Sequence, residues 1–296
     1  MLKRTIYIGN SSYLKTKLNQ LIIQCPETKA QKGSIPIEDM ALLLLDHPQI
    51  TLSAQLLNKL MGNKVALIHC DNHHLPNGLM LPIVGHTQLT EHWKHQLAAS
   101  LPLKKQLWKQ TVEAKIENQK ALLIKEKKPV KAMNSYLEKL ISGDETNMEG
   151  KAANHYWKYL LDDFQRRRFG DAPNNFLNYG YAILRSIIAR ALISSGLLLA
   201  QGIFHKNKYN PYCLADDIME PYRPFVDKLV LECIHLYAGE TTLTKQIKAH
   251  LLTIATQDVY IDNKKRPLLV ATSITTASLH KCFTGERRFI LYPEFT

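Results

Sequence analysis

The sequence predicts an α+β protein, with a small β-rich N-terminal domain of β-sandwich-like build over residues 1–84 and a larger all-α domain over residues 85–296. Three observations predict it. Short apolar or alternating runs separated by polar turns fill the first part; Gly and Pro thin out past about residue 88; and a 3.6-residue apolar period takes over from there. Arg4 to Ile8, Tyr13 to Leu18 and Leu21 to Gln24 read as antiparallel strands joined by turns such as Gly9-Asn10-Ser11-Ser12. Ile35 to Glu38 and Ala41 to Leu45 continue the pattern, followed by a short helix from Ser53 to Met61 and a strand at Val65 to His69. Helices are expected near 88–99, 103–126, 130–141 and 147–162, punctuated by Pro102 and Pro129. Further helices are expected near 174–200, 214–238, 242–256 and 268–283, with a Lys264-Lys265-Arg266 turn before the last.

Composition bounds the function. With 296 residues, 45% of them hydrophobic, the chain can fill two cores. Lys and Arg number 38 against 26 Asp and Glu, a formal charge of +12 that favours a polyanionic partner, nucleic acid ahead of anionic membrane. Five scattered cysteines without a CxxC pair indicate neither a disulfide framework nor a zinc ribbon. The N-terminus lacks the apolar core of a signal peptide, and the apolar stretch Ile183 to Phe204 is interrupted by Arg185 and Arg190. A cytoplasmic protein with no membrane span is expected.

Glu149 is the residue most in need of explanation. A helix from Met148 to Asp162 puts it in line with Ala152, Ala153, Tyr156, Trp157 and Leu160, while Lys151, Asn154, Lys158 and Asp162 take the opposite face. Leaving a buried charge without its counterpart costs about 3–5 kcal/mol, so a cation or a metal should stand opposite. His205, in the loop after the long apolar helix, and Glu220 are candidate further ligands, since a neutral imidazole and a carboxylate both suit a divalent metal. The plainer readings are a surface histidine at His205 and helix-dipole partners in Asp216, Asp217 and Glu220. Pro221 and Pro224 put a kink in that helix, which can open it toward a ligand. A metal site in a basic chain suggests phosphodiester chemistry on nucleic acid.

Four segments carry a family resemblance: Asn147 to Ala153, Asn178 to Leu184, Gly196 through His205, and Asp217-Ile218-Met219-Glu220-Pro221-Tyr222-Arg223-Pro224. In this order and spacing the chain resembles the CRISPR-associated protein one family, the integrases of CRISPR adaptation, over nearly its whole length. Leu45-Asp46-His47-Pro48 and the overall length are most similar to the type II branch. The resemblance implies that Glu149, His205 and Glu220 are the catalytic metal ligands, with Glu220 standing where many relatives have Asp. Asp217, Tyr179 and Arg223 are implied as auxiliary groups. It further implies Mg²⁺ or Mn²⁺ as cofactor, and insertion of short DNA duplexes into the CRISPR array by transesterification at the repeat. The implied partners are double-stranded DNA as spacer precursor and CRISPR repeat, a second copy in a homodimer, CRISPR-associated protein two, and other type II adaptation proteins. The alternatives are a noncatalytic DNA-binding scaffold and a structure-selective nuclease acting on branched DNA in repair.

Among the basic runs, Arg166, Arg167 and Arg168 are the preferred candidates for phosphate contacts because they follow the Glu149 helix directly. His69-Cys70-Asp71-Asn72-His73-His74 has metal-ligand residue types at high density, but with no second cluster it reads as a plain turn. The segment Arg287 to Thr296, with Phe289, Leu291, Tyr292 and Phe295 between polar groups, is a candidate tail for docking onto a partner.

Overall fold

Met40 to Leu45 is apolar at every position and buried at every position. A strand covered on both faces takes this composition, and such strands lie inside parallel sheets. The computed structural model describes residues 3–83, 85–161, 164–167 and 170–295, which fall into two units, Met1–Thr87 and Gln88–Thr296. The first unit runs β1 (Arg4–Ile8), β2 (Ser12–Lys17), β3 (Gln20–Gln24), β4 (Gln31–Pro36), β5 (Met40–Leu45), β6 (Ile50–Leu52), α1 (Ala54–Gly62), β7 (Ala66–Cys70) and β8 (Pro76–Met80). One sheet has the order β1-β5-β7-β8 and the other β4-β3-β2-β6. Ile6, Ile8, Leu43 and Leu45 of the first sheet share one core with Leu14 and Leu21 of the second and with Leu56 and Leu60 of α1. The sandwich-like expectation holds.

The purely antiparallel pairing does not. β5 pairs parallel to both β1 and β7, and β2 pairs parallel to β6. The unbroken apolar run of β5 carried that signal, because a half-exposed antiparallel strand would alternate. The segment expected as a strand over Ile35 to Glu38 ends at Pro36 and tightens into a 3₁₀ turn, Ile37–Asp39. β6 and β8 were not anticipated; Pro76-Asn77-Gly78-Leu79-Met80 has the composition of a turn and pairs only with β7. The histidine-rich segment is the β7–β8 turn, in which His74 Nδ1 lies 2.7 Å from Asp46 Oδ1 and His69 Nδ1 2.9 Å from Asn77 Oδ1.

The second unit contains α2 (Leu89–Ala98), α3 (Leu101–Lys125), α4 (Lys131–Glu138), α5 (Met148–Leu160), α6 (Asn174–Ser194), α7 (Cys213–Met219), α8 (Arg223–Leu236), α9 (Lys245–Leu252), β9 (Asp258–Ile261), β10 (Lys264–Pro267) and α10 (Leu268–Phe283). Among the described residues its regular structure is helical except for one hairpin and the isolated bridge Tyr260–Glu294. The Lys264-Lys265-Arg266 segment is strand rather than turn; the turn is Asp262-Asn263, both with left-handed φ (51° and 56°), as a two-residue hairpin loop requires. α6 stops short of residue 200 because Gly196 (φ 72°) closes it, with Gly196 N donating to Ile193 O and Leu197 N to Leu192 O. At Gly180 a Cβ would come within 2.5 Å of Val226, so that glycine sets the close approach of α6 to α8. Within the described residues no helix is long and apolar enough to cross a membrane. All five cysteines are free thiols.

Candidate active site

α3 is the axis of the site. Its buried stripe runs through Leu107, Trp108, Thr111, Val112, Lys115, Ile116, Asn118, Gln119, Leu122 and Leu123, so one lysine lies among apolar and amide side chains. The Lys115 side chain is 8% exposed, and its ammonium meets two carboxylates, Glu149 Oε1 of α5 and Glu220 Oε2 at 2.5 Å. This is the cation that the placement of Glu149 required. Burial pulls the ammonium down, but the charges of Glu220 and Glu149 outweigh it and hold Lys115 above the ordinary lysine value.

Each carboxylate is fixed locally. Asn147, in the left-handed region at φ 53°, caps α5 by accepting from Gly150 N, and Asp144 accepts from Met148 N and Glu149 N at 2.7 and 2.9 Å. Glu149 thus sits in a first turn with its backbone held. Glu220 stands where the expected single helix over 214–238 breaks. Pro221 and Pro224 have no N–H to offer Asp217 O and Glu220 O, which accept instead from Glu220 N and Arg223 N, giving a 3₁₀ turn over Glu220–Tyr222. The turn buries Glu220, whose Oε1 takes Arg223 Nη2 at 2.8 Å. Burial pushes Glu220 up, yet Arg223 and then Lys115 hold it below the usual carboxylate range. Its contact with Lys115 is an ion pair rather than an aligned hydrogen bond, since Glu220 Oε2 lacks a hydrogen-bond partner.

His205 lies in the loop between α6 and α7. Gln96 of α2 anchors the start of that loop, bonding Leu198 N, Leu198 O and Gln201 O. Asp217, fully buried on α7, anchors its end, accepting from Ile203 N, Phe204 N and His205 N and facing His205 Nδ1 at 2.5 Å. A Cβ at position 202 would come within 2.4 Å of His205 O and 2.8 Å of Asp217 Oδ2, so only glycine passes there. Phe204 stacks on Trp108 of α3, ring centroids 4.3 Å apart. The hydrogen bond that the imidazole gives to Asp217 raises His205, against burial, with help from the charges of Asp217, Glu220 and Asp216. Glu149 and Glu220 meet at Lys115, and the charge of Glu220 reaches His205, although among the described residues no three His, Cys, Asp or Glu side chains stand in metal-binding geometry.

The auxiliary candidates divide. Asp217 orients His205, Arg223 pairs with Glu220, and Tyr179 is buried within α6. Arg223 also lies over the Tyr181 ring at 4.7 Å, and Arg166 over the same ring at 5.5 Å. Arg166 donates to Asn174 Oδ1, Asn178 Oδ1 and Arg167 O, so its guanidinium is engaged inside the chain. Arg167 is exposed beside Gln165, and Arg168 lies outside the described residues.

Sequence reasoning missed Lys115 and Asp227. Asp227 on α8 accepts from Tyr156 OH of α5 at 2.7 Å and Tyr181 OH of α6 at 2.5 Å, tying three helices together. Burial, opposed by those two hydrogen bonds and by Arg223 and Arg166, pushes the Asp227 carboxyl up to about 6. A carboxyl raised above its unfolded value contributes stability below the unfolded pKa and loses it as pH rises through the folded one. From about pH 4 to pH 6, wild type should therefore lose on the order of 3 kcal/mol relative to Asp227→Asn. Urea unfolding of both proteins at pH 4, 5, 6 and 7 measures it, and a constant difference would refute it.

Comparisons with known proteins agree with this architecture. The family model for CRISPR associated protein Cas1 matches residues 6–264. The chain is 34% identical over 288 residues to the CRISPR-associated endonuclease Cas1 of Neisseria meningitidis serogroup C (strain 8013), covering 96% of this chain and 93% of that one. Among solved structures, a casposase bound to integration product has TM-score 0.81 at 20% identity, covering 98% of this chain and 92% of that chain. A Cas6-RT-Cas1–Cas2 complex has TM-score 0.77 at 18% identity, covering 99% of this chain and 36% of that chain. Fold and site define a two-unit α+β protein in which a helical unit gathers two carboxylates about a cation. The extent of the family match and the relative at 34% identity go further: the chain belongs to the CRISPR-associated protein Cas1 family.

Proposed function

We propose that this protein is a metal-dependent DNA endonuclease and integrase of CRISPR adaptation, of the type II branch, acting in the cytoplasm. The observation that carries the reading is the convergence of Glu149 and Glu220, from separate helices, on a single positive charge. A pair of carboxylates that shares one ammonium has the spacing to share one metal ion, and the imidazole of His205, fixed through Nδ1, keeps Nε2 available as a third donor. Their carboxylate and imidazole donors are of the types that suit Mg²⁺ or Mn²⁺, and Glu149, His205 and Glu220 would hold such an ion. When bound, such an ion lowers the pKa of an attacking hydroxyl and stabilises charge on the scissile phosphate and leaving oxygen.

The chain's own groups do the rest. Asp217 keeps His205 in one tautomer and orientation, as a carboxylate behind a ligating histidine does. Arg223 screens Glu220 from the side away from Lys115, and exposed Arg167 is offered to a DNA phosphate. The substrates proposed are a short duplex and the CRISPR repeat, joined by attack of a terminal sugar hydroxyl on a repeat phosphodiester. The proposed assembly is a homodimer that works with CRISPR-associated protein two. Support comes from the family, from a relative that is a CRISPR-associated endonuclease, and from structural neighbours that include a casposase bound to integration product and a Cas6-RT-Cas1–Cas2 complex.

The test is divalent-metal-dependent joining of a short duplex into a supercoiled plasmid bearing a repeat, with and without the partner protein. Joining that proceeds equally in chelator would sink the proposal. Lys115 gives a second measurement. In Lys115→Met the two carboxylates lose their shared ammonium, so metal-free protein should lose about 3–5 kcal/mol of stability. Mn²⁺ should then raise Tm more in this variant than in wild type. An equal or smaller Mn²⁺ shift would show that Lys115 and the metal do not compete for the same charge.

A further inference from the structure

The segment Arg287 to Thr296, expected as a tail for a partner, is held by its own helical unit as far as residue 295. Two side-chain amides of α3 receive it in the same way. Gln110 donates to Arg288 O at 3.0 Å and accepts from Ile290 N at 2.9 Å; Asn118 donates to Pro293 O at 2.8 Å and accepts from Phe295 N at 2.9 Å. Between these rungs, Leu291 exchanges hydrogen bonds with α10, its N–H donating to Ser278 Oγ and its carbonyl accepting from Thr275 Oγ1. The segment thus lies extended between α3 and α10, and Phe295 ends against Phe225 of α8, ring centroids 4.9 Å apart.

Asn118 differs from Gln110 in one respect. Its second amide hydrogen goes to Pro221 O at 2.7 Å, the carbonyl immediately after Glu220. Asn118 is buried and lies one helical turn beyond Lys115 on the same stripe of α3. One amide group therefore fastens the Glu220 turn and the extended segment together, and a shift of either costs Asn118 a buried hydrogen bond.

We propose that Asn118 is a positioning residue for Glu220: backed by the segment Arg288 to Phe295, its amide fixes the turn that aims the Glu220 carboxylate. This rests on the metal-site reading above. Displacing a reacting or metal-holding group by about 1 Å can cost roughly 100-fold in rate, so a backbone anchor beside the carboxylate matters more than its distance from the substrate implies.

Gln110→Ala is the control, because it removes two hydrogen bonds to the same segment without touching the Glu220 turn. Three quantities are compared in full-length wild type, Asn118→Ala and Gln110→Ala: Mn²⁺ affinity from the free-ion electron paramagnetic resonance signal, kcat and KM for duplex joining, and Tm. Asn118→Ala should weaken Mn²⁺ binding about 10-fold or more and lower kcat about 10–100-fold, with KM for DNA within about twofold. Gln110→Ala should lower Tm while leaving Mn²⁺ affinity and kcat within about twofold of wild type. Phe295→Ala, which weakens the backing without touching Asn118, should shift Mn²⁺ affinity in the same direction by a few-fold, and it carries the test if Asn118→Ala does not fold. Wild-type Mn²⁺ affinity in folded Asn118→Ala, or in Phe295→Ala should that variant stand in, overturns the inference. So does an equal loss in Gln110→Ala. Wild-type protein that binds no Mn²⁺ overturns the metal reading along with it.

Discussion

Glu149→Ala and Glu220→Ala should each abolish metal-dependent joining, lowering it by about 1000-fold or more, while differing sharply in stability. The shared loss follows from removing one of the two carboxylates proposed to hold the ion. The difference follows from burial. The Glu149 side chain is 29% exposed and its removal leaves Lys115 paired to Glu220, whereas Glu220 is 8% exposed and answers both Lys115 and Arg223. Glu220→Ala thus takes one of two partners from buried Lys115 and the carboxylate from half-buried Arg223, at a cost of up to about 3–5 kcal/mol, and Glu149→Ala should cost clearly less. Glu220→Gln separates the effects, keeping the shape and part of the hydrogen bonding while losing the charge. Joining rates and urea unfolding on the same preparations decide it, and a Glu149→Ala protein that joins at the wild-type rate would falsify the assignment.

Asp217→Ala should be nearly as damaging, by a different route. Its carboxylate takes three backbone N–H groups of the His205 loop as well as the imidazole. Without it those donors are left partly unpaired, each costing about 1–3 kcal/mol where water cannot reach, and His205 loses its orientation. Loss of a carboxylate behind a ligating histidine typically weakens metal binding about 10–100-fold. The pH signature is specific. Because Asp217 raises His205, this pair contributes stability that is fully present below the unfolded histidine value, about 6.5, and is lost as pH rises through the higher folded value. In Asp217→Asn that loss should flatten. Histidine titration by NMR would show whether the His205 pKa falls; an unchanged value would sink the pairing.

The reach of sequence reasoning can be followed residue by residue. Glu149 was legible because a carboxylate at an apolar helical position demands a cation, and the cation is there. Lys115 obeys the same rule on α3, but that helix carries so many polar residues that its buried stripe, which includes Asn118 and Gln119, does not stand out as apolar. The helix break at Glu220 was legible from two prolines, whereas the burial of Glu220 was not, because it depends on α3 packing against the turn. The parallel pairing of β5 was written in its unbroken apolar run, which continued a series of alternating strands and was read with them. The intramolecular partners of Arg166, namely Asn174, Asn178 and the Tyr181 ring, were not legible, because a charge run says nothing of what each side chain meets. The extended segment from Arg288 to Phe295 looked free because its receivers, Gln110 and Asn118, lie far back in the chain.

The loop that carries His205 has no regular secondary structure, yet its amide groups are spoken for at both ends, by Gln96 and by Asp217. Surface loops ordinarily exchange their amide hydrogens with solvent through small local fluctuations. Here Ile203, Phe204 and His205 can exchange only when a buried carboxylate on α7 lets go, and α7 is packed through Cys213, Leu214, Ala215 and Ile218. Their deuterium uptake should accordingly be slow, resembling that of a core helix, and should accelerate for all three residues together in Asp217→Ala. The imidazole is thereby carried by a segment that opens with the interior of the domain, so its alignment persists through the local fluctuations of the surface.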